Sequence, residues 1–292
     1  MRGPDAERKR DGSRSSLVWD VLADVIAARV AQTGRAALDI VDVGAGTGGF
    51  AVSIAATGHR VTVVDPSPDA LAAARWRADE AGVTLTEVQG EAADLPALVG
   101  VPGADSAGAA GAGANGAGAD LVICHNVLEY VDSPPAALAA VARVLRPGGT
   151  VSVLAANTVA AVLQRALAGK YAEALGMLPG GPASGTGPGP QDRATPARGM
   201  AQLARRFTLP ELAALIEGAG LRVGDAHGIR VFSGLLPGAP ADLAAVEALR
   251  DLEEAAATCP PLRDIATRLH VLGHRAGLPA REVSHVRRYR TS

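Results

Sequence analysis

From Leu17 the apolar positions Leu17, Val18, Val21, Leu22, Val25 and Ile26 recur at three- and four-residue spacing. That spacing lines one face of an amphipathic helix, which should close near Gly34 and lie against a sheet. The pattern then changes. Leu38-Asp-Ile-Val-Asp-Val43 is a short apolar run that passes directly into Gly44-Ala-Gly-Thr-Gly-Gly49, and a helical stretch follows to Gly58. The order is strand, glycine loop, helix. Residues 60–65, Arg-Val-Thr-Val-Val-Asp, predict a second buried strand ending in a carboxylate, and the alanine-rich residues 69–82 predict a helix. Further strands are expected over 83–88, 120–124 and 150–154, with a helix over 135–145 and a turn at Arg146-Pro-Gly-Gly149. Strands alternating with helices imply a doubly wound, mostly parallel sheet with right-handed crossovers, an α/β fold of Rossmann-like type with an N-terminal helical extension.

Farther along, Thr208-Leu-Pro-Glu211 has the spacing of a capping box and should open a helix ending near Gly218 or Gly220. Residues 221–232 predict a strand pair broken around Gly228, and residues 268–274 predict another strand or a helix end. Two stretches read as unfolded connections. Residues 102–118 are almost pure Ala and Gly, too poor in apolar side chains to offset the entropy of ordering them. Residues 176–199, rich in Gly and Pro, follow the fifth strand, where either a substrate lid or a plain connection would sit.

Composition narrows the chemistry. Hydrophobic residues make up 48% and charged residues 20% of the 292, as in ordinary globular proteins. No apolar run is long enough for a membrane span, and residues 1–14 are too charged for a signal peptide, so a cytoplasmic protein is expected. Only Cys124 and Cys259 are present, which gives no disulfide framework and no metal-ligand cluster, and no metal is expected. A formal net charge of −2 gives no overall basic field. Both ends are locally arginine-rich, and lysine occurs only at positions 9 and 170.

Gly44, Gly46 and Gly49 satisfy G-x-G-x-x-G, which alone suits a dinucleotide dehydrogenase equally well, with Asp65 on a ribose. A backbone free of side chains can approach a ligand at a helix N-terminus, and a carboxylate ending the next strand can accept ribose hydroxyls. Asp42 tips the balance. It stands two residues before the first glycine, where it would repel a pyrophosphate but suit the cationic, amino-acid end of a sulfonium cofactor, directly or by holding the loop.

Asp42-Val-Gly-Ala-Gly-Thr-Gly48, Asp65 and Leu145-Arg-Pro-Gly-Gly149, in that order, resemble the class I S-adenosylmethionine-dependent methyltransferases. The resemblance implies S-adenosylmethionine as cofactor, with Gly44, Ala45 and Gly46 at its methionine moiety and Asp65 on its ribose. It also implies a single methyltransferase domain over residues 1–292: an arm and helix over 1–36, a cofactor-binding core over 37–156, and a substrate-side loop with completion of the sheet over 157–292.

A narrower resemblance, to the bacterial tRNA 5-carboxymethoxyuridine methyltransferases, rests on Arg14 and Trp19, His125-Asn-Val-Leu-Glu-Tyr130, Asn157, Gly169-Lys-Tyr171 and Gly228-Ile-Arg-Val-Phe232. It implies cofactor contacts from Arg14 and His125, and methylation of a carboxylate on a modified tRNA wobble uridine. Arg230 is the candidate grip on that carboxylate, since a guanidinium meets a carboxylate with two parallel hydrogen bonds, and Asn157 is a second candidate substrate contact. The chain departs from that family at Ala45 and Thr47, and in replacing a lysine cluster after Gly169-Lys-Tyr171 by Pro and Gly. Arg193, Arg198, Arg205 and Arg206 are the residues that could take over its phosphate contacts.

A carboxylate acceptor is ionised at neutral pH and needs no base, whereas an alcohol or phenol would need one, for which His125 and Tyr130 are the catalytic candidates. Three functions stay open on sequence: a tRNA methyltransferase, a methyltransferase acting on a small metabolite, and a non-catalytic cofactor-binding module. The sequence leaves the oligomeric state open.

Overall fold

A computed structural model describes residues 16–101, 118–178, 205–236 and 242–277. The opening helix, α1, spans Ser16–Thr33. It leads into β1 (Asp39–Val43), α2 (Gly49–Ala55), β2 (Arg60–Asp65), α3 (Pro68–Ala81) and β3 (Thr86–Gln89). Each crossover is right-sized for a parallel unit, and β1–β2 and β2–β3 pair in parallel as the sequence implies. Helix α3 starts where Ser67 accepts a hydrogen bond from the Ala70 N–H, with Pro68 in the first turn, and stops at left-handed Gly82.

After α4 (Leu95–Val99) come β4 (Ala119–His125), α5 (Pro134–Val144), β5 (Leu145–Ala156), α6 (Thr158–Leu167) and α7 (Tyr171–Gly176). Then follow α8 (Leu209–Gly218), β6 (Arg222–Ile229), α9 (Leu243–Ala257) and β7 (Arg268–His274). The strands form one seven-stranded sheet in the order β3-β2-β1-β4-β5-β7-β6. Strand β7 alone runs antiparallel to its neighbours, so β6 points the same way as β1 to β5, and the C-terminal ends of six strands share one edge.

Alternation along the strands sorts the sheet into two faces. Val41, Val43, Val122, Cys124, Val151, Val153 and Val271 pack with α5 and α8 in an apolar cluster. Ile40, Val61, Val63, Leu121, Ile123 and Leu154 pack with α1, α2 and α3 on the other face. By the same alternation, Asp42, Asp65, His125, Ser152 and His270 all lie on this second face.

Three expectations are corrected. Arg146-Pro-Gly-Gly149 is no simple turn before a strand, because β5 already begins at Leu145 and the register to β4 slips between Ala119 and Leu121. Arg146 holds that irregularity in place by bonding both Asp39 and Asp120 at 2.7 and 2.9 Å. Residues 221–232 give one strand rather than a pair. A Cβ on Gly228 would come within 2.6 Å of the Arg263 carbonyl, so this glycine serves a close approach and not a turn. The third strand covers Thr86–Gln89 only. The capping box at Thr208 and Glu211 forms with both of its hydrogen bonds. The segments 102–117 and 179–199 lie outside the described residues, as do Arg193 and Arg198. Among the described residues no helix is long and apolar enough to cross a membrane.

Asp120, at the edge opposite the strand C-termini, is 1% exposed. It accepts hydrogen bonds from Arg29 at 3.2 Å, Arg35 at 2.8 Å, Arg146 at 2.9 Å and the Asp39 N–H at 3.1 Å. Removing one partner from a buried, multiply bonded charge cluster typically costs about 3–5 kcal/mol. Asp120→Ala is therefore expected to lower unfolding free energy in urea by about that amount; a loss below about 1 kcal/mol would contradict this role.

Candidate cofactor and acceptor site

The site lies on the shared C-terminal edge, where β1 stops at Val43 and the chain turns. Gly44 and Gly46 adopt φ of 63° and 52°, a left-handed backbone that L side chains rarely take. A Cβ on Gly44 would strike Val127 at 2.5 Å, whereas one on Gly46 would meet nothing within 4 Å. The first glycine thus serves packing, and the second fronts open space that a ligand can enter.

Two carboxylates frame this loop. Asp65, 7% exposed, accepts the Gly46 N–H at 3.0 Å on one oxygen and the Ser67 N–H at 2.9 Å on the other. Each oxygen keeps a second lone pair, so two vicinal hydroxyls could still bind. Asp42 is buried and accepts the backbone N–H of Ala51, in the first turn of α2. Burial, and secondarily the neighbouring Asp65, push its carboxyl up to about 7. A buried acid held this way becomes an anion readily only when a cation arrives beside it.

His125 ends β4 and is 8% exposed. Its ring meets Phe50 edge-on at 5.1 Å, and Phe50 in turn stacks on Trp19 of α1 at 6.3 Å. The opening helix therefore closes over the histidine, and burial depresses the imidazole to about 3, so it is neutral at physiological pH. Nε2 is 2.8 Å from the Ser152 hydroxyl, and Nδ1 is buried without a partner. Asn126, the next residue, takes φ of 57° and its side-chain oxygen accepts from Arg268 at the start of β7.

Arg230 directly follows β6 and is the other non-glycine residue with positive φ among those described, at 60°. Strain of about 1–3 kcal/mol persists only where the surroundings hold it. Here they do. Its carbonyl accepts the Thr267 N–H at 3.1 Å and the Thr267 hydroxyl at 2.9 Å. The three N–H groups that follow, on Val231, Phe232 and Ser233, all donate to the Glu253 carboxylate of α9 at 2.6, 3.0 and 2.6 Å. The guanidinium Nε of Arg230 is buried without a partner.

Other candidates fall elsewhere. Asn157 is 1% exposed and its amide is used up inside the protein: the oxygen caps α6 at Val159, and the nitrogen donates to the Asp264 and Ala266 carbonyls at 2.8 and 2.7 Å. The structure thus makes it a brace, with both amide N–H groups committed to the two carbonyls and no donor left for a ligand. Tyr130 is 74% exposed, at the surface rather than packed on His125. Arg14 lies outside the described residues.

The sequence reading missed Asn126, Glu129, Glu253, Thr267 and Arg268. Glu129 sits 5% exposed at the same edge, accepts the Ala156 N–H at 2.8 Å, and is raised by burial against the lowering pull of Arg268 and Arg206. It belongs to the His125-to-Tyr130 run, so its position was open to notice. Thr267 and Glu253 act through backbone groups and leave no motif.

Residues 41–151 match a family model described as a methyltransferase domain. Over 160 residues the chain is 28% identical to the tRNA 5-carboxymethoxyuridine methyltransferase of Escherichia coli K12, a match covering 54% of each protein. The chain thus spans about half the length of that relative. Over 211 residues it is 29% identical to the ubiquinone biosynthesis O-methyltransferase of Xylella fastidiosa, covering 72% of this chain and 70% of the other. Among solved structures, a SAM-dependent methyltransferase of Methanosarcina mazei superposes with a TM-score of 0.52 at 15% identity, covering 83% of this chain and 94% of that one. Residues 41–151 are thus similar to methyltransferase domains, and the sheet that carries them has the α/β Rossmann-like fold of the class I S-adenosylmethionine-dependent methyltransferases.

Proposed function

We propose that the chain transfers the methyl group of S-adenosylmethionine to an acceptor bearing a carboxylate, with a modified tRNA wobble uridine as the first candidate. The observation that carries this reading is Arg230: a strained, clamped arginine with an unpartnered buried nitrogen, at the same sheet edge as the glycine loop and its two acids. The loop fits the cofactor on its own terms. Gly46 fronts open space, Asp65 keeps free lone pairs for ribose hydroxyls, and Asp42 is a buried acid in want of a cation.

The cofactor supplies an electrophilic methyl carbon on a sulfonium. The protein's work is to align an acceptor oxygen with that carbon and exclude water. Trp19 and Phe50 cover His125 and keep the pocket dry, while Arg230 orients the carboxylate, which at neutral pH is already an anion. No residue need remove a proton. Support for a tRNA acceptor comes from the Escherichia coli relative's name and from Arg205 and Arg206, which run past Glu129 at the mouth of the site. The Xylella relative supports a second reading, a small-molecule acceptor on the same scaffold. Labelled methyl donor given with bulk bacterial tRNA, and separately with a low-mass metabolite fraction, tests the two. Label in an alkali-labile ester on tRNA is the expected result; label only in small molecules would favour the second reading, and none in either would overturn both.

Two further outcomes are expected. Cationic cofactor beside Asp42 should lower its carboxyl from about 7, so binding near pH 6 should release a proton and affinity should climb toward neutral pH. Calorimetry in buffers of differing ionisation heat reads that release, and Asp42→Asn should abolish it. Second, Arg230→Gln should leave cofactor affinity unchanged and raise the acceptor KM roughly 10- to 100-fold, the worth of a charge-assisted hydrogen bond. Glu253→Gln should shift KM in the same direction, because the left-handed turn at Arg230 loses its clamp. An equal loss of cofactor affinity in the Arg230 variant would contradict this division of roles.

A further inference from the structure

The turn that follows β4 displays an aromatic ring to water. Its backbone, residues 126–132, is anchored from within: Val127, Leu128 and Glu129 are buried, the Tyr130 N–H donates to the Val127 carbonyl at 2.9 Å, and the Asn126 N–H donates to the Leu154 carbonyl at 2.7 Å. Glu129 adds two bonds, its side chain accepting the Ala156 N–H at 2.8 Å and its carbonyl the Arg205 N–H at 3.2 Å. Tyr130 points the other way. It is 74% exposed on a backbone held at both ends, so a partner that covers the ring need not first order the turn. Nothing in the proposed methyl transfer uses it.

Arginines are tied to both ends of this turn. Arg268, at the start of β7, donates to the Asn126 side-chain oxygen, and Arg205 donates to the Val131 carbonyl and, at 3.1 Å, to the Asp132 carbonyl. All three acceptors are neutral. The turn and the residues against it carry Arg205, Arg206 and Arg268 against Glu129 and Asp132, a positive balance, and Arg230 stands on the same sheet edge. A cation on either side of an exposed ring is the arrangement that holds a single nucleic-acid strand, with phosphates on the guanidiniums and an unpaired base on the ring. A duplex cannot use that ring, because its bases are already stacked on one another. Nor can a small acceptor, which must be enclosed with the methyl donor while the ring faces water. A polymer can, since one unit enters the site and its neighbour stays outside.

We infer that the turn over 126–132, with Arg205 and Arg268, is a docking surface for an unpaired RNA strand, in which Tyr130 stacks on a base beside the one methylated and the two arginines meet the flanking phosphates. The inference rests on the proposed methyl transfer for the choice of RNA over DNA, and it adds how a polymer presents its acceptor. It also gives Tyr130 a task that its exposure suits, in place of proton removal, for which a ring open to water is badly placed.

Anisotropy of a dye-labelled oligouridylate, titrated with the full chain at several salt concentrations, tests this. Two competitors without unpaired bases accompany it: an RNA duplex, and polyglutamate as the stand-in for an acidic protein. The native chain should bind oligouridylate more tightly than either. Tyr130→Ala should weaken oligouridylate binding about 10-fold, the worth of one stacked base, and leave polyglutamate binding unchanged, while Tyr130→Phe should keep the native affinity. Arg205→Gln and Arg268→Gln should each flatten the slope of log affinity against log salt by about 0.7, the share of one phosphate on a single strand, and lysine at either position should restore it. Should one Gln variant fail to fold, the other reads the same slope. Equal oligouridylate binding by the native chain and Tyr130→Ala overturns the inference, as does an unchanged slope in the Gln variants. Tighter binding of the duplex or of polyglutamate than of oligouridylate overturns it too. Binding of oligouridylate that depends on Tyr130, without methyl transfer to any RNA, would sink the functional reading alone; methyl transfer to tRNA that Tyr130→Ala leaves untouched would sink this inference alone.

Discussion

Asp120 is the point from which the rest of the fold is hung. Its buried carboxylate gathers Arg29 from α1, Arg35 from the link into β1, Arg146 from the start of β5 and the first N–H of β1. One anion thereby fixes the N-terminal ends of the three central strands and the helix that covers them. A buried charge of this kind is retained only if every partner is in place, so the cluster also fixes which arginine goes where. With that edge fixed, the opposite edge can carry strain. The two non-glycine residues with left-handed backbone among those described, Asn126 and Arg230, both lie there, as do the left-handed Gly44 and Gly46.

The two faces of the sheet divide the labour in a similar way. The layer under α5 and α8 is built on a large apolar cluster and supplies cohesion. The layer under α1 and α2 includes the buried polar side chains Asp42, Asp65, His125, Ser152 and His270. Burial alone would make these groups a liability. Most of the cost is met by specific bonds, such as those of Asp65 to Gly46 and Ser67 and of Ser152 to its two histidines. Among the buried atoms that keep no partner, Nδ1 of His125, Oε2 of Glu129 and Nε of Arg230 lie at the edge that carries the glycine loop.

How much of this was legible in the sequence depends on how far apart the partners lie. The strand, glycine loop and following acid are nearly contiguous, and the structure brings them together, with the Gly46 N–H donating to the Asp65 carboxylate. Arg146 was seen as part of a turn, because its partners Asp39 and Asp120 stand 107 and 26 residues away and only the register of β1 and β4 brings them together. Gly228 was read as a break for want of knowing that Arg263 would press on it. Asn157 is named as a substrate contact by resemblance, and no local pattern shows that its two amide N–H groups are committed to a turn more than a hundred residues later. Glu253 and Thr267 grip backbone atoms around Arg230, and backbone has no signature in a sequence.

Central to the account is the proposal of a cofactor cradle in which Gly46 would front the ligand and Asp65 would hold it. Calorimetric titration with S-adenosylmethionine, of the native protein and of Asp65→Ala, tests this most directly. The account predicts saturable one-to-one binding by the native protein and none by a variant that still melts cooperatively. Equal binding by both, or binding of NAD in place of the sulfonium, would contradict it.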